Sequence, residues 1–380
     1  MQLLTWLITM LVKKTLKFKL EETKYGKFEC LDKLYIQANN LMQKIWYIIK
    51  YSKVFSKTKI QNWFYNYWKN IYDLPSQVII NCIDKVIEMF KASYEQRHLP
   101  SKPENIPIRL IRKRSYNIHE DGTVTIYGCG TYKLIGNPEH IKLAYLHGRG
   151  AELIKRDKGY YLHVTIEKNV NLNYIPRYKI GLDFGKYEIM LSILNERNEL
   201  VWWRSIDFSK WIKIRKHHRE VRRHKQRKCK RFRKESQEVR RFIEEVTKVI
   251  VDIAKDYQQF GVIVRVEDLK KLRKRMLKLF KKDPELRYLV STMPYRLFYK
   301  RLEEKLTWEG IKFEQVNPKY TSKVCHRCGN FGIRNGKVFK CPYCGLEIDA
   351  DLNAAINIAK GGYDYLKQLP ALKDEASPKI

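Results

Sequence analysis

Two Cys-x-x-Cys-Gly units near the end of this 380-residue chain restrict its fold more than any other feature. Cys325 and Cys328 form the first unit, and Cys341 and Cys344 form the second. A zinc ion takes four soft ligands at tetrahedral corners, and each Cys-x-x-Cys turn presents two thiolates from one tight loop. A redox dithiol or two disulfides are the alternatives, but a redox site uses a single Cys-x-x-Cys. The doubled motif therefore predicts a structural zinc ribbon.

An acidic helix start follows the second unit directly. The segment Asp349–Ala359 reads DADLNAAINIA, and its short side chains allow a helix to pack closely on a sheet. Asp349 and Asp351 both stand at the beginning of this helix. An alternative to a functional role for Asp349 is that it serves only as the N-cap of the helix. The sequence thus predicts a carboxylate at a helix start beside the ribbon.

The formal net charge of +35 indicates a polyanion partner, because each Lys or Arg placed on a phosphate releases a counterion. Between Lys210 and Lys234, 14 of 25 residues are Lys or Arg and Glu220 is the only acid. Lys270–Lys282 contains eight Lys or Arg among 13 residues. A solvated helix face is the alternative, but so dense a run repels itself unless a polyanion neutralises it. We therefore expect nucleic-acid contact in both segments.

The remaining cysteines and the N-terminal residues bear on the compartment. The cysteines outside the two units are scattered singly: Cys30, Cys82, Cys129 and Cys229. Single cysteines indicate a reducing compartment rather than a disulfide framework. The apolar run Leu3–Val12 is shorter than the roughly 20 residues that span a bilayer. Lys13 and Lys14 follow this run, whereas a secretory signal places its charge before it. We expect a cytoplasmic protein without a membrane partner.

The N-terminal half begins with a strand-like segment and three helical stretches. Apolar residues recur at helical spacing in the first stretch: Leu31, Leu34, Tyr35, Ala38, Leu41, Met42, Ile45 and Ile49. In the second stretch, aromatic side chains line one face: Trp63, Phe64, Tyr67 and Trp68. A stacking platform for bases is one interpretation, but packed core is the commoner use of such residues. We expect most of them to lie in the core.

From Ile108 the hydrophobic period approaches two, which indicates strands. Asp121-Gly122 lies between two alternating runs and predicts a hairpin. A second hairpin is predicted between Ala151 and Lys168, with Leu162, Val164 and Ile166 facing one side. The region therefore resembles a small β-barrel or sandwich. The polar joint Asn171–Arg177 is where we expect a domain boundary.

The second half alternates strands and helices. Three short strands come first, at Lys179–Asp183, Glu188–Leu194 and Leu200–Ile206. The buried-type strand GVIVRVEDL follows the long basic helix, and a helix around Met293–Leu306 leads to the strand IKFEQV. The order of three strands, helix, strand, helix, strand, insert and helix predicts a ribonuclease-H-like α/β fold with a mixed sheet.

Three carboxylates close apolar strands or open the adjoining helix: Asp183, Glu267 and Asp351. Burying such acids is costly without a partner, and a divalent cation supplies one. Mg²⁺ takes hard oxygen ligands from a few carboxylates and a substrate phosphate. Alternatively, Asp183 forms only a turn, Asp268 replaces Glu267, or Asp349 replaces Asp351. No His-Glu-x-x-His segment or serine nucleophile motif is present.

These motifs together resemble the TnpB family. The resemblance rests on GLDFG (Gly181–Gly185), VEDL (Val266–Leu269), PKYTSKVCHRCG (Pro318–Gly329), FKCPYCG (Phe339–Gly345) and DADLNAAINIA (Asp349–Ala359). It covers the C-terminal half, whereas the N-terminal half matches only in general layout. TnpB proteins are transposon-encoded RNA-guided nucleases and are similar to compact type V CRISPR effectors. Phe184 stands where the family often has another apolar residue, and no catalytic acid is missing.

The resemblance implies a site, cofactors, partners and a domain order. Asp183, Glu267 and Asp351 would be the catalytic Mg²⁺ ligands of a RuvC-like site, whereas Asp349 would not be a ligand. The four cysteines would hold structural Zn²⁺. The partners would be a guide RNA and a double-stranded DNA target with its displaced single strand. The domains would be a wedge β-barrel in two parts (1–27 and 105–172), an inserted helical recognition lobe (28–104), the RuvC-like domain (173–320 and 348–380) and the zinc ribbon (321–347).

The sequence therefore favours an RNA-guided DNA endonuclease of a mobile element. One alternative is a catalytically silent RNA-guided DNA-binding repressor, which the three intact acids argue against. An unguided nuclease would leave the large basic N-terminal half unexplained. An unguided zinc-ribbon nucleic-acid-binding protein would leave the acids unexplained.

Overall fold

The computed structural model describes residues 9–95, 98–102, 104–172, 174–185, 187–224, 229–269, 287–288, 291–369 and 372. The chain forms two compact units. The first contains residues 11–169, and the second contains the described residues from 170 onward together with Thr9 and Met10. The basic segment Lys270–Lys282, residues 225–228 of the other basic run, and the first part of the apolar N-terminal run lie outside the described residues.

Three helices form the helical part of the first unit. They are α1 (Phe28–Ser52), α2 (Lys57–Ile71) and α3 (Ser76–Glu95). The apolar stripe of α1 is buried as predicted, and α3 packs against both α1 and α2. The aromatic residues of α2 divide between two faces. Trp68 is 1% exposed, whereas Trp63 and Tyr67 are 54% and 59% exposed. The expectation that most of the four aromatic residues lie in the core was therefore wrong.

A seven-stranded sheet forms the rest of the first unit. Its strands are β1 (Thr9–Glu21), β2 (Ile108–Ile111), β3 (Tyr116–Ile118), β4 (Thr123–Ile126), β5 (Gly130–Ile135), β6 (Gly148–Arg156) and β7 (Gly159–Asn171). They lie in the order β2-β6-β7-β1-β5-β4-β3, and α4 (Pro138–His147) follows β5. A bridge between Arg112, just after β2, and Tyr116 in β3 brings the two edge strands together. The sheet is therefore nearly closed. Both predicted hairpins, β3–β4 and β6–β7, are present.

A mixed five-stranded sheet organises the second unit. Its strands are β8 (Tyr178–Phe184), β9 (Glu188–Leu194), β10 (Leu200–Asp207), β11 (Val262–Glu267) and β12 (Lys312–Val316). They lie in the order β10-β9-β8-β11-β12. The first three strands are antiparallel neighbours, and β11 runs parallel to both β8 and β12. All three strands predicted at the start of this half are present.

Helices cover the sheet because their apolar stripes match its buried side chains. The crossover from β10 to β11 contains α5 (Lys210–His224) and α6 (Cys229–Asp256), and α7 (Tyr295–Glu309) joins β11 to β12. The α6 stripe is buried at helical spacing: Val239, Phe242, Val246, Ile250 and Ala254. This stripe packs in one hydrophobic core with side chains of β8, β9, β11 and α7.

A further helix, α8 (Ala350–Lys360), packs on β8 and β9, and α9 (Tyr363–Leu366) follows it. At Gly181 in β8, an added Cβ would lie 2.0 Å from the Ala355 carbonyl oxygen and 2.8 Å from the Ala359 Cβ. Only glycine fits so close an approach. Before α8 stands the small ribbon sheet β13 (Ile333–Asn335), β14 (Val338–Lys340) and β15 (Glu347–Asp349). Within the described residues, no helix is both long enough and apolar enough to cross a bilayer.

Candidate functional site

The four ribbon thiols form one compact cluster. Their Sγ atoms all lie within 4.8 Å of one another. The Cys325–Cys344 and Cys328–Cys341 Sγ distances are 3.7 Å and 3.5 Å. A tetrahedral site with Zn–S bonds of ~2.3 Å has S···S edges of about 3.8 Å. The cluster therefore fits one tetrahedral metal ion of zinc type.

Local backbone geometry explains how each Cys-x-x-Cys-Gly unit presents its two thiols. The Gly329 N–H donates to the Cys325 carbonyl at 2.9 Å, and the Gly345 N–H donates to the Cys341 carbonyl at 3.0 Å. Both glycines have positive φ, +78° and +68°, which other residues rarely adopt. Burial raises the pKa of Cys325 to about 12, whereas the Asn330 N–H and the Cys341 thiol outweigh burial at Cys328 and lower its pKa to about 7. A low pKa favours the thiolate form that binds metal.

Two buried amides on α8 hold the first unit of the ribbon. The Asn353 Nδ2 donates to the Val324 carbonyl at 2.9 Å, and its Oδ1 accepts from the His326 N–H at 3.0 Å. The Asn357 Nδ2 donates to the carbonyls of Thr321 (2.9 Å) and Val324 (2.7 Å). Both asparagines are fully buried. The helix that carries Asp351 and the ribbon therefore form one hydrogen-bonded body.

The predicted acids Asp183 and Glu267 end two adjacent parallel strands. Leu182 pairs with Val266, so the next residues of β8 and β11 are also neighbours. Side chains alternate along a strand, so Asp183 shares a face with Gly181 and Glu267 shares a face with Arg265. Gly181 faces α8, and Arg265 donates to the Ala359 carbonyl of α8 at 2.7 Å. Both acids therefore face α8 near its start, where Asp351 lies.

Burial makes this acidic group electrostatically unfavourable without a cation. Burial raises the pKa of Asp183 well above its usual value, and the charges of Glu267 and Asp351 raise it further. Burial also raises the pKa of Glu267, although the Thr321 hydroxyl donates to its Oε1 at 2.5 Å and opposes this shift. Bound Mg²⁺ would offset the cost because it prefers carboxylate oxygens. The donor set therefore fits that metal.

Asp183→Asn should stabilise the Mg²⁺-free protein at neutral pH. A raised folded-state pKa means that the stability contributed by protonated Asp183 is fully present below its unfolded pKa of about 3.9. It is lost as the pH rises through the folded-state pKa. The neutral amide avoids that loss. Thermal unfolding in Mg²⁺-free buffer without a chelator, so that the ribbon keeps its zinc, should therefore show a higher midpoint for the variant at pH 7.5 and a smaller gain at pH 4.

A matched control for this effect is Asp207→Asn. The Ser209 N–H and side chain lower the pKa of Asp207, which is the opposite shift from Asp183. Its neutral variant should therefore give no gain in midpoint at pH 7.5. An Asp183→Asn protein that melts at or below the parent temperature in Mg²⁺-free buffer would contradict the assignment of unfavourable buried charge.

Asp351 is paired with two cations from the ribbon that sequence reasoning missed. The Arg334 Nη2 lies 2.8 Å from Asp351 Oδ1, and the Lys337 Nζ lies 3.3 Å from Asp351 Oδ2. Lys337 also pairs with Glu188. In the described part of the chain, only the four thiols form a group of possible metal ligands whose atoms all lie within 4.8 Å of one another. The carboxylate oxygens of Asp183, Glu267 and Asp351 are therefore farther apart than the four sulfur atoms. No sequence motif marks Arg334 or Lys337, because their position depends on how the hairpin folds over α8.

The two competing acids have different positions. Asp349 is the N-cap of α8, since its Oδ1 accepts from the N–H groups of Asp351 (2.9 Å) and Leu352 (3.0 Å). Asp268 lies just beyond β11, and its N–H donates to the Val316 carbonyl at 2.8 Å. Asp349 thus caps α8, and Glu267 rather than Asp268 is the last residue of β11.

Part of the Lys210–Lys234 charge is neutralised within the protein. Arg215 on α5 pairs with buried Glu235 on α6 at 2.7 Å, and Lys210 pairs with Glu245 at 3.1 Å. His218 contacts Glu238 at 3.0 Å. Glu220 is the only acid of the run, but the part of α6 beyond Lys234 supplies these acidic partners. These pairs reduce the number of cations in the run that remain for the expected nucleic-acid contact, whereas Lys213 is exposed.

The fold and the site define a protein with half-buried carboxylates at one edge of a mixed α/β sheet. A four-cysteine ribbon is inserted before the helix that carries the third carboxylate. A family model described as "Cas12f1-like, TNB domain" matches residues 295–358. A TnpB-like protein of Aquifex aeolicus (strain VF5) is 30% identical over 256 residues, covering 60% of this chain and 79% of that protein. The chain belongs to the TnpB family.

Two further comparisons extend this result. The CRISPR-associated endodeoxyribonuclease Cas12f1 of Sulfoacidibacillus thermotolerans is 46% identical over 75 residues, which are 18% of each chain. A solved Cas12f1–sgRNA–target DNA complex has a TM-score of 0.56 and 18% identity, covering 87% of this chain and 82% of that one. At this identity the structural match shows a shared fold.

Proposed function

We propose that this protein is an RNA-guided DNA endonuclease of a mobile element, with Asp183, Glu267 and Asp351 as its Mg²⁺-binding catalytic acids. The observation that carries the proposal is the convergence of the two strand-end acids on the start of α8, where burial raises the pKa of Asp183. Acids kept at such a cost at a sheet edge are typical of a functional site. The names of the Cas12f relatives, which are endodeoxyribonucleases, support the same reaction.

The residues would divide the work as follows. Asp183, Glu267 and Asp351 would hold Mg²⁺, which would supply Lewis-acid chemistry for phosphodiester hydrolysis. Asp183 and Glu267 hold their carboxylates on the rigid sheet, and Thr321 orients Glu267 through its hydroxyl. Asp351 presents its carboxylate from the first turn of α8. Arg334 and Lys337, which neutralise Asp351, are suited to a substrate phosphate at the same place.

The proposed domain assignment follows the two units. The strand order β10-β9-β8-β11-β12, with one parallel pair on each side of β11, supports a RuvC-like domain of ribonuclease-H type. The thiol cluster would be its structural zinc site. The nearly closed sheet and the three helices of the first unit support a wedge domain with a helical recognition lobe. Guide RNA and target DNA would bind the basic surfaces of a cytoplasmic protein.

Guided cleavage should require both the co-purifying RNA and a divalent cation. Protein purified with its RNA, which is sequenced to define the guide segment, is given a duplex DNA that matches this segment. DNA should be cleaved when Mg²⁺ is added and left intact when Mg²⁺ is omitted. Binding should persist without Mg²⁺, because base pairing and phosphate contacts carry the affinity. A DNA with a scrambled target is the control. Equal cutting of both DNAs would contradict guidance, and binding without cutting in Mg²⁺ would favour the silent repressor.

A further inference from the structure

The outer face of α2 carries an exposed pattern that the nuclease site does not use. Three exposed apolar side chains lie one helical turn apart, at positions i, i+4 and i+8. They are Trp63, Tyr67 and Ile71, which are 54%, 59% and 49% exposed. An exposed asparagine precedes each of them: Asn62, Asn66 and Asn70. We call these six residues the α2 outer face. The opposite side packs in the core, where Phe64 stacks on buried Trp68 with ring centroids 5.3 Å apart.

This face is not explained by folding. Single exposed apolar residues are normal, but a row of them on one helix marks an interaction site. The helix itself is purely basic, since α2 contains three lysines and no acid. Lys57 at its start pairs with Asp84 of α3 at 2.6 Å, and Lys59 and Lys69 are exposed. A further cation comes from α1: the Lys44 ammonium lies 5.2 Å from the ring centroid of Tyr72. Its pKa is raised by a hydrogen bond and charge interaction with Tyr72 and, to a smaller extent, by Tyr67.

Flat rings, amides and cations without carboxylates are the groups that bind nucleobases. Rings stack on base faces, amides pair with base edges, and lysines neutralise phosphates. Side chains at i and i+4 are about 6 Å apart at Cβ. Stacked bases repeat at about 3.4 Å, so a base held between two rings needs about 7 Å. The spacing of Trp63 and Tyr67 is therefore suited to one inserted base.

We propose that the α2 outer face binds unpaired bases of single-stranded RNA, with one base between Trp63 and Tyr67 and with Asn62 and Asn66 on the base edges. The proposal rests on the proposed function for its RNA partner. Duplex DNA offers no free base faces, because exposing them costs a few kcal/mol of unstacking. A second copy of the chain would bring two acid-free lysine helices together. RNA loops expose unpaired bases without either cost.

The test uses the full chain, freed of bound RNA, and fluorescein-labelled single-stranded RNA of mixed sequence. The double variant W63A/Y67A should bind this RNA about fivefold to 150-fold more weakly, because one stacked base contributes ~1–3 kcal/mol. The dependence of log Kd on log salt should not change, because no phosphate contact is removed. W63F/Y67F should retain most of the affinity. Tyr25→Ala, which removes an exposed aromatic outside α2, should bind like the parent.

Other outcomes identify other occupants. Thermal midpoints equal to the parent value show that the variants fold, as expected for side chains outside the core. Unchanged RNA affinity in W63A/Y67A would overturn the proposal, as would a larger loss for duplex or single-stranded DNA of the same sequence. A change in mass by light scattering would assign the face to a second copy. Because the assay measures binding without Mg²⁺, it stands whether or not the protein cleaves DNA.

Discussion

Changing Asp183, Glu267 or Asp351 singly to Ala should abolish guided DNA cleavage and leave RNA and DNA binding close to the parent level. Each acid contributes from a different element, so none can replace another at the metal. Metal-based charge stabilisation contributes several kcal/mol to such a reaction, and a loss of about 4 kcal/mol corresponds to roughly a thousandfold in rate. Cleavage and binding of a matched target, measured side by side with guide RNA and Mg²⁺, provide the test.

The neighbouring acids provide matched controls. Asp349→Asn keeps an amide oxygen to accept from the Asp351 N–H, so the helix cap and the position of Asp351 should survive. Asp268→Asn changes the residue beside Glu267 without altering its backbone bond to Val316. Both variants should keep cleavage within about tenfold of the parent, a smaller loss than a missing ligand causes. Parent-rate cleavage by Asp351→Ala would refute the three-acid site.

The second large effect is expected at the ribbon. The parent should contain one zinc per chain, and Cys341→Ser should lose it, because Cys341 is 3% exposed and its Sγ lies 3.5 Å from that of Cys328. Structural zinc binding contributes ~10–16 kcal/mol in small zinc-dependent folds. The ribbon of the variant should therefore unfold and become sensitive to protease. Elemental analysis and limited proteolysis measure the two consequences.

A cysteine outside the cluster controls for general effects of removing a thiol. Cys30 lies in α1 and donates to the Gly128 carbonyl at 3.3 Å. Cys30→Ser should retain full zinc content and a protease-resistant ribbon. Parent protein without zinc would contradict the assignment, and zinc in Cys341→Ser equal to the parent content would exclude that thiol as a ligand.

The sequence predicted those parts of the site that depend on local patterns. The Cys-x-x-Cys spacing determines which thiols can meet, and apolar runs ending in Asp183 and Glu267 mark strand ends. A parallel pairing of these strands then makes the two acids neighbours. The pairing of Arg334 and Lys337 with Asp351 could not be predicted in this way, because a three-residue strand between glycines has no periodic hydrophobic pattern.

Sequence reasoning has the same limit for the helices of the first unit. Trp63 and Trp68 are both tryptophans of one short helix, but Trp63 faces solvent and Trp68 faces the core. Their spacing of five residues places them on different sides of α2. Which side is buried depends on where α3 packs, and this is a tertiary contact that composition does not specify.

The amides of Asn353 and Asn357 have a consequence for exchanging parts between relatives. A graft of residues 321–347 alone would bring foreign carbonyls to these two buried side chains, whose present acceptors lie at Thr321 and Val324. An amide that loses its acceptor inside a core costs ~1–3 kcal/mol. The smallest interchangeable segment therefore extends through Asn357, so the third carboxylate has to travel with the cysteines.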